Sequence, residues 1–216
     1  MTQALLYNFF RSSTSVRVRI ALNLKRVPYD QRAVHLRKGE QRGADYLALN
    51  PQGLVPALVL EDGTTLTQSL AIMEYLDEVY PKPPLLPADA KGRARVRALA
   101  YAVACEIHPL NNLRVLNYIR KHHGADDQGQ ALWFRHWVAE TFAPTEISLA
   151  KSGDTGRFCH GDTPTIADIC LFAQVLNNRR FDVDMSPYPT INRVFEQCSS
   201  LAEFQAALPE RQPDAE

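Results

Sequence analysis

The sequence lacks the features that mark membrane, secreted and nucleic-acid-binding proteins. No apolar stretch approaches the roughly 18 residues that a membrane-spanning helix requires. No basic segment followed by an apolar one opens the chain, as it would in a secretory leader. The 24 Lys and Arg residues equal the 24 Asp and Glu residues, which argues against a nucleic-acid or polybasic membrane-surface function. We therefore expect a cytoplasmic protein with neither nucleic-acid nor membrane partners.

Cysteine is scarce, and its spacing excludes two kinds of site. The 4 cysteines form no CxxC pair and no metal-like spacing with the 6 histidines, so we predict neither a redox motif nor a metal site. Cys105 and Cys170 lie within helical apolar patterns, where a free thiol behaves as a small hydrophobic side chain. With 216 residues, 45% of them hydrophobic, the chain can bury a large core in one or two domains.

The pattern of apolar residues divides the chain into two parts. In the first eighty residues it predicts the order βαβαββα, and hence a small mixed sheet covered by helices. The predicted strands are 4–10, 29–36, 55–60 and 64–66, and the helices are 15–26, a short one within 38–49, and 69–79. Prolines then crowd residues 81–87, which predicts a stiff linker. We expect an α/β domain over 1–82 and an all-helical domain over 88–216.

The second part reads as helical throughout. Apolar residues at three- and four-residue steps predict one long helix over 91–122, kinked at Pro109. Further helices are predicted over 127–150, 165–178, 191–198 and 201–207. Thr165 and Asp168 have the spacing of a capping box, which gives Asp168 a structural role. The polar residues 209–216 are expected to be frayed.

Three hydroxyl residues, Ser12, Ser13 and Thr14, stand where the first strand gives way to the first helix. The free N–H groups and the dipole of a helix N-terminus suit a small anion such as a phosphate, a carboxylate or a thiolate. The alternative is a helix cap without a ligand. Between Arg11 and Arg42 the chain also carries nine Lys or Arg residues against two acidic ones. That excess indicates either a field that attracts an anion or a solvated helix face.

Two later segments have the same ambiguity. Residues 50–56 contain two prolines and a glycine just before a strand, which predicts a turn with a cis peptide at Val55–Pro56. The backbone there can pair with an extended peptide ligand, or the turn can serve the fold alone. Gln68 and Ser69 open the following helix, and Ser69 is the expected N-cap. The same helix end can hold a carboxylate.

These elements, in this order, resemble the glutathione transferase superfamily, in which a thioredoxin-like domain precedes an all-helical one. Residues 12–22, Val55-Pro56, Gln68-Ser69-x-Ala71-Ile72 and Leu85-Leu86-Pro87 look like its zeta class of glutathione-dependent maleylacetoacetate isomerases and relatives. Thr14 stands where that class usually has Cys, which counts against dehalogenation through a mixed disulfide. Thr14, residues 108–112 and Arg114 look closer still to bacterial maleylpyruvate isomerases.

The resemblance implies glutathione as cofactor and assigns its binding residues. Ser12 would stabilise the glutathione thiolate, with Ser13 and Thr14 beside it, and Val55 would pair with the cysteinyl backbone. Gln68 and Ser69 would hold the γ-glutamyl carboxylate. Gln41 and His108 match positions near the glycyl end or the thiol, and Asn112 is the remaining cofactor-binding residue.

The implied reaction is cis–trans isomerisation of maleylacetoacetate to fumarylacetoacetate in aromatic amino acid catabolism. The alternatives are maleylpyruvate isomerisation in gentisate catabolism, a detoxifying transferase that consumes glutathione, and a non-catalytic adaptor. Arg11 and Arg114 are expected to act in catalysis with Ser12, because an enolate and terminal carboxylates need cations. Substrate binding is assigned to Arg11, His108, Arg114 and Arg180.

Two further arginines and the oligomeric state complete these expectations. Arg17 is expected to be near enough to reach the site, whereas Arg19 is expected to form a structural ion pair. The sequence does not decide between Arg180 and its neighbour Arg179. The resemblance also implies a homodimer that acts on a small dicarboxylate.

Overall fold

Four short strands form one mixed sheet in the computed structural model of this protein, which describes residues 3–216. β1 (Ala4–Asn8), β2 (Tyr29–Ala33), β3 (Ala57–Val59) and β4 (Thr65–Thr67) lie in the order β2–β1–β3–β4. β1 runs parallel to β2 and antiparallel to β3, and β4 runs antiparallel to β3. The parallel pair needs a crossover, which α1 (Ser13–Lys25) supplies.

Two more helices complete the predicted order βαβαββα, which is confirmed. α2 (Ala44–Leu49) precedes β3, and α3 (Ser69–Val79) follows β4 and packs against α1. The strands are shorter than predicted because apolar residues beyond their ends pack instead of pairing. Phe9 and Phe10 leave the sheet and join a buried cluster with Val34, Tyr46 and Val55.

The basic segment between Arg11 and Arg42 is not simply a charged surface. Arg17, Arg19 and Lys25 are 1%, 0% and 5% exposed, so neither a solvated face nor an anion-attracting surface describes them. The Lys25 ammonium donates to Asp77 Oδ1 at 2.6 Å and to the carbonyls of Tyr80 and Pro83. This buried cation ties the end of α1 to the chain that follows α3.

Arg19 binds neutral acceptors, so the expected ion pair is wrong. Its guanidinium donates to Asn8 Oδ1 at 2.7 Å, to the Phe10 carbonyl at 2.9 Å and twice to the Ala207 carbonyl, at 3.0 and 3.2 Å. Burial lowers the pKa of Arg19 to about 10, which still leaves it charged at neutral pH. A buried Arg with several acceptors fixes the segments that supply them.

The C-terminal residues pack on the N-terminal sheet domain, so the expectation of a frayed end is wrong. The buried Gln212 side chain donates to the Ala206 and Leu208 carbonyls, and Asp214 Oδ2 accepts the Phe10 N–H at 3.0 Å. The described residues form two compact units. The first combines the residues up to Leu85 with the C-terminal segment Ser200–Glu216, and the second is Leu86–Ser199. The expected domain 88–216 therefore differs from the structure at its C-terminal end.

Helices form most of the second unit. The helices are α4 (Ala90–Tyr101), α5 (Leu113–His123), α6 (Asp127–Lys151), α7 (Ile166–Arg179) and α8 (Pro189–Ser199). A short helix, α9 (Ala202–Ala206), belongs to the first unit and packs against α1. Within residues 3–216 no helix is long and apolar enough to cross a membrane.

The single helix predicted over 91–122 is wrong. α4 ends at Tyr101, a π-helical turn spans Ala102–Ile107, and a turn separates it from α5. The prediction failed because Val103 and Ile107 are buried in the π-helical turn, so the apolar pattern continues past the end of α4. π-helical turns are frequent at functional sites, and three predicted site residues, His108, Asn112 and Arg114, follow this one.

The predicted capping box of α7 is confirmed, and Asp168 is its centre. Asp168 Oδ2 accepts the N–H and the hydroxyl of Thr165 at 2.8 and 2.7 Å, and Oδ1 accepts the Cys159 N–H at 2.7 Å. Burial raises the pKa of Asp168, while these hydrogen bonds act in the opposite direction. The carboxylate therefore joins the loop at Cys159 to the start of α7.

Replacing Asp168 tests this structural role. Asp168→Ala leaves two buried N–H groups and a hydroxyl without their acceptor, so we expect unfolding free energy to fall by about 3–5 kcal/mol. Urea unfolding followed by circular dichroism measures the change. The control is Asp184→Ala, because Asp184 is exposed and accepts one N–H, from Ser186. Equal losses in the two variants would contradict the assigned role.

Candidate active site

Ser12 caps the N-terminus of α1 through its side chain. Its Oγ accepts the Ser15 N–H at 3.3 Å, and its carbonyl accepts the Val16 N–H at 2.9 Å. No acidic residue lies in the first turn of α1, which begins with the buried Ser13. The half-buried Ser12 hydroxyl therefore stands at the positive end of a helix dipole without a local counter-charge. Such a position stabilises a thiolate or a carboxylate.

Thr14 connects Ser12 to the loop before β3. Its hydroxyl donates to the Val55 carbonyl at 2.9 Å and lies 2.8 Å from Ser12 Oγ. A hydroxyl has a single O–H to donate. Ser12 is therefore the donor to Thr14, and a rotation about its Cβ–Oγ bond would turn the same proton toward a ligand.

The loop that carries Val55 is held by two side-chain donors. Tyr46 Oη and Asn50 Nδ2 donate to the Leu54 carbonyl at 2.6 and 2.7 Å. The Val55–Pro56 peptide is cis, as predicted. Gly53 has φ of +60°, and a Cβ there would lie 2.9 Å from the Gln41 carbonyl oxygen, so only glycine suits the position.

Gln68, and not Ser69, occupies the N-cap position of α3. The predicted N-cap is therefore wrong by one residue: Ser69 is the first helical residue and is buried. Gln68 has φ of 67° and ψ of 114°, a strained backbone for a residue other than glycine. Its side chain makes no bond to the helix and instead donates to Gln52 Oε1 at 2.8 Å.

Gln41 and Arg11 are two further predicted site residues in the first unit. Gln41 lies in a 3₁₀ turn, Glu40–Arg42, and donates to the Leu36 carbonyl at 3.3 Å. Among the residues that the structure describes, its buried Oε1 has no hydrogen-bond partner. The half-buried Arg11 lies next to Ser12, with its guanidinium 4.8 Å from the centre of the Phe10 ring.

His108, Asn112 and Arg114 lie together in the second unit. His108 follows the π-helical turn, and its Nε2 is 3.4 Å from Asn112 Nδ2. Asn112 caps α5, and its side chain accepts the Arg114 N–H at 3.1 Å. Arg114 is exposed in the first turn of α5. Because the predicted helix is interrupted after Ile107, α5 begins at Leu113, and Arg114 lies in its first turn.

The two adjacent arginines at the end of α7 differ in their neighbours. The Arg179 guanidinium lies 4.6 Å from the centre of the Phe195 ring, on α8. Arg180 is the C-cap of α7, and it donates to Asn177 Oδ1 at 3.2 Å and lies 5.8 Å from the Phe181 ring centre. Both arginines are exposed and both have partners, so the assignment of substrate binding to Arg180 stays a prediction.

The residues that hold the Val55 loop are not among those predicted from the sequence. Tyr46 and Asn50 act through the Leu54 carbonyl, a contact between α2 and the loop. Asn50 had a local signal, because it begins the turn that contains Gly53. Tyr46 had no local signal, because its hydrogen bond to the Leu54 carbonyl depends on how α2 packs against the loop.

Removing the Thr14 hydroxyl should loosen the link between α1 and the Val55 loop. Thr14→Val keeps the side-chain shape but loses two hydrogen bonds, so we expect a loss of about 1–3 kcal/mol in unfolding free energy. Thr14→Ser retains the hydroxyl and serves as the control. Urea unfolding of both variants provides the test, and a Val variant as stable as the Ser variant would show that the link contributes nothing.

Tyr46 should affect the stability of the first unit at alkaline pH. Burial raises the pKa of Tyr46 to about 12 from an ordinary value of 10.0. The folded state thus retains a proton that the unfolded state loses, so stability from this group falls as pH rises between these values. The unfolding free energy of Tyr46→Phe should fall less over that interval, as measured by urea titration at successive pH values. The exposed Tyr118, replaced by Phe, is the control and should follow the parent protein.

Known proteins match the chain over nearly its whole length. The N-terminal domain of glutathione S-transferases matches residues 11–79. A maleylpyruvate isomerase from a Ralstonia species is 53% identical over 211 residues, which cover 97% of this chain and 99% of that protein.

Solved structures extend the similarity to the fold. The holo structure of a maleylpyruvate isomerase, described as a zeta-class bacterial glutathione S-transferase, has a TM-score of 0.96 and 52% identity, covering 98% of this chain and all of that one. A maleylacetoacetate isomerase from Anaeromyxobacter dehalogenans, with dicarboxyethyl glutathione and citrate in its active site, has a TM-score of 0.88 and 46% identity, covering 99% and 98%. This chain therefore belongs to the glutathione transferase family, in the zeta class with these isomerases.

Proposed function

We propose that this protein is a glutathione-dependent cis–trans isomerase of maleylacetoacetate or maleylpyruvate. The observation that carries the proposal is the hydroxyl corner at the start of α1, where Ser12 stands at a positive helix end and is linked through Thr14 to the Val55 loop. The isomerases to which the chain is similar support the same reaction.

The residues present fit glutathione. Hydroxyl donors at a helix N-terminus suit a thiolate, and the strained Gln68 and the buried Ser69 stand at a second helix end that suits a carboxylate. The Val55 carbonyl accepts one hydrogen bond and has a lone pair for a second. The buried Gln41 Oε1, which lacks a partner among the described residues, suits an N–H of a peptide ligand.

Each residue then has a defined task. When bound, glutathione supplies the thiolate that adds to the cis double bond, permits rotation about it and leaves again. Ser12 turns its proton from Thr14 to the sulfur, which lowers the thiol pKa from about 8.5. Val55 orients the peptide backbone, and Gln68 with Ser69 holds the γ-glutamyl carboxylate. Ser13, Gln41, His108 and Asn112 are the further proposed contacts of the cofactor.

Arginines supply the positive charge that the reaction needs. We assign Arg11 and Arg114 to the enolate oxygen and the carboxylates, because a guanidinium grips a carboxylate with two parallel hydrogen bonds. Arg180 and His108 are assigned to the remainder of the substrate. The citrate in the Anaeromyxobacter isomerase supports a small carboxylate as ligand.

The choice between the two substrates has support on each side. The general zeta-class motifs and a 45% identical probable maleylacetoacetate isomerase from Vibrio cholerae favour maleylacetoacetate. Thr14, residues 108–112, Arg114 and the 53% identity to the Ralstonia enzyme favour maleylpyruvate. The two acids differ by one methylene group, which an enzyme distinguishes by only about 10–200-fold. A homodimer and a cytoplasmic location remain predictions.

The decisive experiment mixes the purified protein with each cis diketo acid, with and without glutathione. We expect glutathione-dependent conversion to the trans acid, detected with a trans-specific hydrolase, at constant total thiol. The higher kcat/KM names the substrate. Falling thiol would indicate a conjugating transferase instead, and failure to bind glutathione would indicate an adaptor.

Ser12→Ala should lower kcat on the order of 100-fold, because it removes the donor that stabilises the attacking thiolate. Circular dichroism should show an intact fold. The exposed Ser186, replaced by Ala, is the control and should retain full turnover. Unchanged turnover in Ser12→Ala would remove Ser12 from the mechanism.

A further inference from the structure

Two arginines on α1 are equally buried but differently satisfied. Arg19 donates four hydrogen bonds to acceptors of the first unit. Among the residues that the structure describes, the Arg17 side chain, 1% exposed, makes one hydrogen bond: its Nη1 donates to Ser69 Oγ at 3.4 Å. Within residues 3–216, its Nε and Nη2 have no hydrogen-bond partner. A buried guanidinium with two unpaired nitrogen atoms and no counter-charge is costly, so its retention calls for an explanation.

Among residues 3–216, no carboxylate lies within ion-pair distance of the Arg17 guanidinium. Ser69 is the first residue of α3, a helix of 11 residues with no acidic residue in its first turn. The N-cap residue, Gln68, makes no side-chain bond to the helix. A buried cation and the positive end of a helix dipole thus converge on Ser69, and both favour the same kind of ligand, a carboxylate.

We propose that Arg17 is a positioning residue for the γ-glutamyl α-carboxylate of glutathione, a role that rests on the proposed function. By donating to Ser69 Oγ, Arg17 occupies a lone pair of that hydroxyl and leaves its proton for the carboxylate. The carboxylate in turn supplies the negative charge that Arg17 lacks. Arg17 thus acts through its hydrogen bond to Ser69, which together with Gln68 is assigned to the carboxylate.

This arrangement sets stability against binding. Without glutathione the uncompensated charge of Arg17 opposes folding, and with glutathione the carboxylate balances it. Arg17→Met, which keeps the length of the side chain without the charge, should therefore unfold at the same temperature as the parent or higher when no ligand is present. The matched control, Arg19→Met, should unfold at a lower temperature because four hydrogen bonds are lost.

Calorimetric titration provides the binding test, with two ligands. One is glutathione, and the other is an analogue in which 4-aminobutanoyl replaces γ-glutamyl, so that only the α-carboxylate is missing. We expect Arg17→Met to weaken glutathione binding about 10- to 100-fold, the range for a hydrogen bond to a charged group. Binding of the analogue should be equal in variant and parent. In turnover, KM for glutathione should rise while kcat at saturation is retained.

A structural role alone would not distinguish the two ligands. Equal weakening of both would overturn the assignment of Arg17 while leaving the proposed function intact. A parent protein that binds neither ligand would overturn the proposed function and this inference with it. In the Ser69→Ala background, Arg17→Met should cause little further loss, and full additivity would contradict action through Ser69. If Arg17→Met does not fold, Arg17→Gln takes its place in every measurement.

Discussion

The buried guanidinium of Arg19 holds together the segments on which the candidate site depends. It binds Asn8 at the end of β1, Phe10 two residues further on and Ala207 in the C-terminal segment. These contacts fix the backbone between β1 and α1, and this backbone positions Arg11 and Ser12. Because a buried Arg without acceptors is costly, the segments that satisfy it are held as a set. The C-terminal residues thereby become part of the N-terminal unit.

In the first unit, α1 and α3 have no acidic residue in their first turns, so the N-terminus of each helix favours an anion. At α1 the positive end is supplemented by the Ser12 hydroxyl, and at α3 by the buried Arg17 behind Ser69. One end suits a thiolate and the other a carboxylate, and a γ-glutamyl thiol peptide presents both kinds of anionic group. The Val55 loop supplies backbone acceptors, and its link to Thr14 couples it to the first of these ends.

Local patterns predicted most of the fold and several of the site residues. The order βαβαββα, the cis Val55–Pro56 peptide and the capping box at Thr165 each depend on residues a few positions apart, so the sequence contains the necessary information. The expected long helix failed for the opposite reason. Its apolar periodicity continues through a π-helical turn, which keeps Val103 and Ile107 buried while the backbone hydrogen bonding changes.

The sequence by itself determined which residue types stand at two helix ends: Ser12 before α1, and Gln68 with Ser69 at the start of α3. Caps and turns follow from side chains that reach their own backbone, so no distant contact is required. Only the tertiary structure decided how Arg17 and Arg19 differ, although both lie on one helix and both are buried. Their difference comes from partners far along the chain: Ser69 for one, and Asn8 with Ala207 for the other. Whether a buried charge is satisfied depends on acceptors that folding alone brings within hydrogen-bond distance.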